Sequence, residues 1–212
     1  METTKHLQNL ATAGNADAQF RLGYRLAFGR TRPRPTDWSV AVALWREAAT
    51  AGHMRAQFQL GVCFEHGYGV PVDMAAAIQW WEMAAENGHT GAQFNLAFSY
   101  RKGDGAPIDY QRMHHWLLTA ARQGDSEAQR DLGFCYHEGL GVDVNYASAV
   151  KWYRSAAHQN DAKAQWNLGL SYLDGEGVRV SQRWGRYWLE RAANQGHRGA
   201  KAKLRRMALA AK

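Results

Sequence analysis

Apolar and small residues recur along the chain with the spacing of amphipathic helices. In residues 162–172 they stand at every third or fourth position, so they share one helical face. Asp161 before this segment is a favourable N-cap residue, and Gly175 behind it is typical of a helix end. A second helix is predicted over residues 145–159, with its apolar residues again on one face. The pattern predicts a pair of helices joined by a glycine turn.

This pair recurs along the chain with a period of 36 residues. The dipeptide Ala-Gln begins at Ala18, Ala56, Ala92, Ala128 and Ala164, spaced by 38 and then by 36 residues. Three residues after each glutamine comes Leu followed by Gly or Ala, and Gly-x-Gly and Ala-Ala pairs keep the same register. A tryptophan column stands at Trp80, Trp116, Trp152 and Trp188. Because one helix pair cannot bury its apolar stripe alone, neighbouring pairs are predicted to stack.

These columns resemble the Sel-1-like repeat family, a relative of the tetratricopeptide repeats. The resemblance is carried by Ala-x-Ala-Gln-x-x-Leu-Gly-x-x-Tyr at 162–172, Gly-x-Gly-Val at 175–178 and Ala-x-x-Trp-Tyr-x-x-Ala-Ala at 149–157. It covers about residues 16–200. It implies an all-α fold, a right-handed α/α superhelix (solenoid) of about five 36-residue helix-turn-helix repeats. It also implies binding to proteins or peptides, since family members in bacteria are often regulators, inhibitors or envelope-associated factors.

The chain is interpreted as one repeat domain, 1–212, closed by terminal capping helices. The predicted segments are an N-terminal cap at 1–14, repeats at 15–52, 53–88, 89–124, 125–160 and 161–196, and a basic cap at 197–212. Two departures stand out. The first loop lacks Gly-x-Gly, and Arg130 occupies a column that is aromatic in the other copies, so that slot is expected to be partly exposed.

Charge and composition narrow the function classes. The net charge of +7 is concentrated in residues 21–35 and 197–212, whereas the long middle is slightly acidic. A nucleic-acid binder would be expected to spread bases along a continuous face. No run of 18 uncharged apolar residues occurs, the start does not resemble a signal peptide, and there are two cysteines. A cytoplasmic protein without a membrane segment is predicted.

The candidate chemical groups have structural interpretations. His53, His89 and His197 share a column with Asn15, Asp125 and Asp161 and are predicted to cap helices, because equivalent positions roughly 10 Å apart cannot converge on one metal ion. Cys63 and Cys135 would lie about 20 Å apart, too far for a disulfide. The Gly-x-Gly loops are predicted interhelical turns, and the tryptophan column is predicted core. No enzyme activity, cofactor or metal is predicted.

A partner is expected on the concave face, which the first helix of each repeat lines in tetratricopeptide-type folds. Polar residues that vary between copies predict a groove with basic groups at one end and acidic groups at the other. The predicted partner-binding residues are Arg21, Arg25, Gln59, Cys63, His66, Asn95, Ser99, Lys102, Arg130, Asp131, Cys135, Glu138, Asn167, Ser171 and Asp174. The loop with Arg30, Arg32 and Arg34 is a further candidate contact for an acidic partner.

The leading hypothesis is a non-enzymatic adaptor or regulator that binds a protein or peptide in this groove. A dedicated inhibitor or immunity-type protein that blocks an enzyme is an alternative that the residues do not separate from it. The alternative from another class is a nucleic-acid binder that uses the Arg30–Arg34 loop and the basic C-terminal helix, for which binding would weaken steeply with salt.

Overall fold

The computed structural model describes residues 4–29 and 38–210, and these form an all-α fold without strands. Their helices are α1 (Thr4–Thr12), α2 (Ala16–Phe28), α3 (Trp38–Thr50), α4 (Met54–His66), α5 (Met74–Glu86), α6 (Thr90–Lys102), α7 (Tyr110–Arg122), α8 (Ser126–Glu138), α9 (Tyr146–His158), α10 (Ala162–Asp174), α11 (Gln182–Asn194) and α12 (Arg198–Ala210). The predicted helix-pair repeat is confirmed. Helices α2, α4, α6, α8 and α10 are the first helices of their repeats, and α3, α5, α7, α9 and α11 are the second helices.

The helices group into two compact units. Unit 1 comprises Met1–Ile108 and unit 2 comprises Asp109–Lys212. Within each unit, helices that follow one another in the chain pack against each other. None of the helices in residues 4–29 and 38–210 has both the length and the apolar character that a membrane span needs.

Both ends of the first helices follow from residue chemistry. Each N-cap side chain of the first helices, and that of α12, accepts a hydrogen bond from the backbone N–H three residues later, at 2.7–3.2 Å; the caps are Asn15, His53, His89, Asp125, Asp161 and, for α12, His197. The capping role predicted for the three histidines is confirmed. Helices α4, α6, α8 and α10 end at glycines with left-handed backbone, Gly67, Gly103, Gly139 and Gly175, so the Gly-x-Gly motif is an interhelical turn as predicted.

The buried glutamine column ties each first helix to the preceding helix. The Nε2 atoms of Gln57, Gln93, Gln129 and Gln165 donate to the backbone carbonyl eight residues earlier, at 3.0–3.2 Å. In unit 2 the Oε1 atom of Gln165 also accepts from Gln195 at 2.8 Å. Since a buried amide must find partners, this column fixes how successive helices meet.

The glycine of the Leu-Gly pair allows two helices of one repeat to approach closely. A Cβ placed on Gly61 would lie 2.2 Å from the indole Nε1 of Trp81, and one on Gly133 would lie 2.6 Å from the ring of Tyr153. The residues that lie against these glycines, Trp45, Trp81, Tyr153 and Leu189, are all buried.

The predicted tryptophan core is correct only in part. Trp188 is buried, but Trp80, Trp116 and Trp152 are half-buried. The deepest column of the second helices is the next residue along the chain, which carries Trp81 and Tyr153. The tryptophans therefore border the core, and their neighbours occupy it.

Candidate functional site

One column of residues predicted to line the groove on the first helices is buried, and the column one residue earlier in the chain lies at the surface instead. Cys63, Ser99, Cys135 and Ser171 were expected to contact a partner, but each is 0–3% exposed. Cys63 packs in the core cluster of unit 1, and burial raises the pKa of its thiol to about 12. These four side chains are too deeply buried to contact a partner from the outer surface. Arg25, the first member of the same column, is exposed.

An apolar column takes the place of the buried one. One residue earlier in each first helix stand Tyr24, Val62, Phe98, Phe134 and Leu170. Tyr24 is 50% exposed, Phe98 47% and Phe134 41%. We call these five residues the apolar column. The sequence did contain the signal, because large apolar side chains interrupt an otherwise polar face at repeat spacing.

In unit 1 the face of α2 and α4 forms a groove of about 590 Å³. We call it the arginine groove; it is lined by Leu7, Phe20, Arg21, Tyr24, Arg25, Phe28, Gly29, Arg55, Phe58, Gln59 and His89. Three of these side chains are arginines, and no carboxylate is among the described residues that line it. The predicted contacts Arg21, Arg25 and Gln59 lie here. The aromatic residues and Arg55 were not predicted.

Aromatic rings form a continuous ridge along α2 in this groove. The ring centroids of Phe20 and Tyr24 are 6.1 Å apart, and those of Tyr24 and Phe28 are 4.7 Å apart. On α4, Phe58 stacks on the imidazole of His89 with a centroid distance of 4.2 Å. Burial, followed by the charge of Arg55, lowers the pKa of His89, so this stacked imidazole is neutral at pH 7.

The three arginines make exposed, weak contacts within the chain. Arg21 lies 3.6 Å from Asp17, one turn earlier on α2, and both side chains are about half exposed or more. Arg25 donates to the hydroxyl of Thr4 at 3.0 Å. The guanidinium of Arg55 lies 5.8 Å from the centre of the Phe20 ring. Exposed contacts of this kind contribute about 1 kcal/mol or less, so a carboxylate of another molecule can replace them.

Unit 2 carries a groove of the opposite charge. It has a volume of about 340 Å³ and lies on α8 and α10. We call it the acidic groove; it is lined by Phe134, His137, Glu138, Tyr153, Asn167, Leu170, Ser171, Asp174 and Glu176. The predicted contacts Glu138, Asn167, Ser171 and Asp174 lie here, Ser171 at the buried floor. His137 and Glu176 were not predicted.

His137 links two carboxylates of the acidic groove. Its Nδ1 atom is 2.7 Å from Glu138 and its Nε2 atom is 2.9 Å from Glu176. Burial alone would lower the pKa of His137, but the hydrogen bonds and charges of Glu176 and Glu138 outweigh it and raise the pKa above the usual value. The imidazole partly neutralises this groove when it is protonated.

Arg130, one of the predicted partner contacts, is paired with carboxylates of the chain. Its guanidinium lies 2.7 Å from Asp131 and 3.1 Å from Asp161, the N-cap of α10, and 13% of the side chain is exposed. The slot is therefore partly exposed, as expected. Three aromatic members of this column stack on the histidine cap of the next helix instead: Phe20 on His53, Phe58 on His89 and Trp166 on His197, with centroids 4.2–5.1 Å apart. Arg130 and Asp131 are thus paired inside the chain.

The remaining predicted contacts lie on first helices outside the two grooves. His66 is exposed and stacks on Tyr68, with ring centroids 5.3 Å apart. The ammonium of Lys102 lies 4.3 Å from the centre of the Phe98 ring, and Asn95 is half-buried. The loop predicted as a further contact, with Arg30, Arg32 and Arg34, lies outside the described residues. Within residues 4–29 and 38–210, no three His, Cys, Asp or Glu side chains are grouped so that they could hold a metal ion.

Comparison with known proteins places these grooves on a known type of repeat. The family model described as Sel1 repeat matches residues 16–53, 55–89, 90–125, 126–161 and 162–197. No match was found among curated protein sequences.

Solved structures give the same answer for the fold. A protective antigen present in uropathogenic Escherichia coli strains, which displays an SLR fold, is 30% identical, with a TM-score of 0.77 over 96% of this chain. The chain spans 51% of the length of that antigen. A Sel1 repeat protein from Oxalobacter formigenes is 28% identical, with a TM-score of 0.78 over 93% of this chain and 79% of its own.

Proposed function

The chain belongs to the Sel1 repeat family, and we propose that it is a non-enzymatic adaptor or regulator that binds a segment of another protein on the exposed face of its first helices. Proteins of this family typically mediate protein–protein interactions and are generally non-catalytic scaffolds. The proposal extends this family property to a particular surface of the chain. The predicted cytoplasmic location remains a prediction.

The arginine groove is the observation that carries the proposal. Tyr24 and Phe28 are 50% and 48% exposed, although aromatic side chains of this size are usually covered. Aromatic residues and arginine are the types that contribute most to protein interfaces. A groove that combines them on adjacent helices therefore has the composition of an interface centre.

The apolar column gives the first helices a repeated contact of the same kind. Phe98 in unit 1 and Phe134 in unit 2 are both more than 40% exposed. Polar residues one turn away, such as Asn95 and Asn167, are half-buried and carry amides that can bond to a peptide backbone. Apolar anchors and backbone contacts together suit an extended segment.

Affinity capture from an extract of the source cells tests this proposal. The intact protein is compared with Tyr24→Ser/Phe98→Ser, which removes two exposed anchors. The matched control is Met83→Ser/Leu209→Ser, which changes two exposed apolar residues of a second helix and of α12. We expect the first variant to lose the partner and the control to retain it. The captured protein is then purified and mixed with the intact chain, to show direct binding.

The outcomes also separate the forms of the proposal. A captured enzyme that loses activity on binding identifies an inhibitor, and a partner that keeps its activity identifies an adaptor. Equal capture by the intact protein and Tyr24→Ser/Phe98→Ser would show that the first-helix face is not the binding surface.

A further inference from the structure

We propose that the arginine groove recognises an acidic segment of another protein, anchored by an aromatic or large aliphatic side chain. This inference rests on the proposed function and names the chemistry of the partner. It follows from two features of unit 1 that coincide in the groove of about 590 Å³: an aromatic ridge and three arginines.

The aromatic ridge accounts for the anchor. Phe20, Tyr24 and Phe28 follow one another at single-turn spacing on α2, and Phe58 faces the same groove from α4. An apolar side chain placed between the two helices would remove ring surface from water on both sides. Each Å² of apolar surface removed from water contributes about 25 cal/mol, so one large side chain is a useful anchor.

The arginines account for the acidic character. Arg21 and Arg25 stand one turn apart on α2, and Arg55 enters from α4. The guanidinium group binds a carboxylate through two parallel hydrogen bonds, which is the strongest contact it makes with a protein side chain. The nearest acid on α2, Asp17, is paired with Arg21 across 3.6 Å and is itself exposed. A carboxylate of the partner could therefore bind the three arginines without breaking a strong contact within the chain.

The neighbouring surface favours a protein segment over a nucleic acid. A nucleic acid follows a continuous track of cations because it carries a phosphate at every nucleotide. Beside the three arginines, the same column continues along unit 1 with Gln59 and Asn95, which are neutral amides. Such amides bond to peptide groups, and within this column of the described residues of unit 1 the cationic member is Arg21.

Selection from a display library of random 12-residue peptides tests the inference. We expect the intact protein to enrich peptides that combine two or more Asp or Glu residues with an aromatic or large aliphatic residue. The best peptide is then synthesised and its binding measured by fluorescence anisotropy. Arg21→Gln/Arg25→Gln/Arg55→Gln should weaken this binding at least tenfold, which corresponds to about 1.4 kcal/mol.

A matched variant controls for net charge. Arg46→Gln/Arg122→Gln/Arg179→Gln removes the same number of positive charges from exposed positions outside the groove and should leave binding unchanged. The charge reversal Arg21→Glu/Arg25→Glu/Arg55→Glu should enrich basic peptides instead. Thermal melting of each variant shows that it is folded.

Several results would overturn the inference. They are enrichment of neutral or basic peptides by the intact protein, no enrichment at all, or equal weakening by both glutamine variants. Tighter binding of a 20-nucleotide single-stranded probe than of the selected peptide, lost in the groove variant, would identify a nucleic-acid site. If the peptide results fail while Tyr24→Ser/Phe98→Ser still abolishes capture of the cellular partner, the acidic partner is wrong and the binding face is right. Failure of that capture result contradicts the proposed function itself.

Discussion

Units 1 and 2 have the same buried columns and opposite exposed ones. Gln57 in unit 1 and Gln165 in unit 2 make the same bond to a carbonyl eight residues earlier, 3.2 and 3.1 Å long. On the surface, Arg21, Arg25 and Arg55 line one groove, whereas carboxylates and a histidine line the other. The glutamine position that joins successive helices thus remains constant between the two units, while the residues that line the two grooves differ in charge.

The first-helix position that holds Phe58 or Arg130, which we call the slot, packs against the cap of the next helix and differs between repeats. In unit 1 this slot holds Phe58 stacked on the cap His89. In unit 2 it holds Arg130 paired with the cap Asp161 in one repeat and Trp166 stacked on the cap His197 in the next. Both solutions keep a side chain that caps the next helix. The slot therefore accepts either an aromatic ring or an arginine paired with carboxylates.

The prediction with the largest effect tests whether the glycine of the Leu-Gly pair contributes equally to the stability of both units. Gly61→Val and Gly133→Val each place a side chain where even a Cβ lies within 2.2 Å of Trp81 or 2.6 Å of Tyr153. We expect each to reduce the free energy of unfolding by about 3 kcal/mol, because an overpacked helix contact must open. Urea unfolding followed by circular dichroism measures this.

A glycine with no close neighbour is the matched control. Gly88→Asn changes a position with positive φ and no atom within 4 Å of its Cβ, and Asn160 occupies the equivalent position with φ 67°. This variant should lose less than about 1 kcal/mol. A large loss in only one of the two valine variants would show that the units are not packed alike.

The next prediction exchanges the slot of one unit for that of the other. Arg130→Phe leaves Asp161 without its cation, and Asp161→His leaves Arg130 without a carboxylate that lies 3.1 Å away. Each single change should cost roughly 1–2 kcal/mol because a partly buried hydrogen bond between charged groups is lost, although Arg130 keeps Asp131 when Asp161 is replaced. The double variant recreates the stack seen in unit 1 and should recover most of the loss.

A double-mutant cycle from thermal melting gives the coupling between the two positions, which we expect to be roughly 1–2 kcal/mol. Glu127→Gln is the control, since Glu127 lies 3.8 Å from Arg130 and is 62% exposed. It should change stability by less than about 0.5 kcal/mol. Simple addition of the two single losses would contradict a coupled slot.

The sequence predicted the features that each repeat displays by itself. Caps such as His53 and turns such as Gly67 depend on residues next to a helix end, so their role can be read from the local pattern. The column of surface residues was predicted one position too late in the chain, at Cys63, whereas the apolar column contains Val62. Positions i+3 and i+4 lie on the same side of a helix, and which of them is covered depends on the angle at which the next helix packs.

Side-chain contacts between repeats could not be predicted from the sequence pattern. The pattern predicted that the slot of Arg130 is partly exposed, but it did not reveal the pairing with Asp161, which is 31 residues away. His137 was missed for the same reason, since its partner Glu176 lies 39 residues further along the chain. Only the packing of one repeat on the next brings these groups together.

The smallest expected effect concerns two histidines with opposite pKa shifts, one in each unit. The pKa of His89 is lowered, chiefly by burial, so the folded state prefers the neutral ring. Its contribution to stability should be present above the ordinary value of about 6.5 and lost as the pH falls below it. The pKa of His137 is raised, because Glu176 and Glu138 outweigh burial. Its contribution should be complete below about pH 6.5 and lost as the pH rises through the raised pKa.

Melting temperatures at pH 5, 6, 7 and 8 separate the two histidines. His89→Asn keeps a cap residue, as Asn15 shows at α2, and should reduce the loss of stability on acidification. His137→Gln should remove about 0.5 kcal/mol at pH 5 and less at pH 8, as expected for a partly exposed ion pair. Both pKa values can be measured directly from the ring resonances by NMR. If both variants changed the pH profile in the same direction, the electrostatic contrast between the neutral stack of unit 1 and the carboxylate-bound imidazole of unit 2 would be wrong.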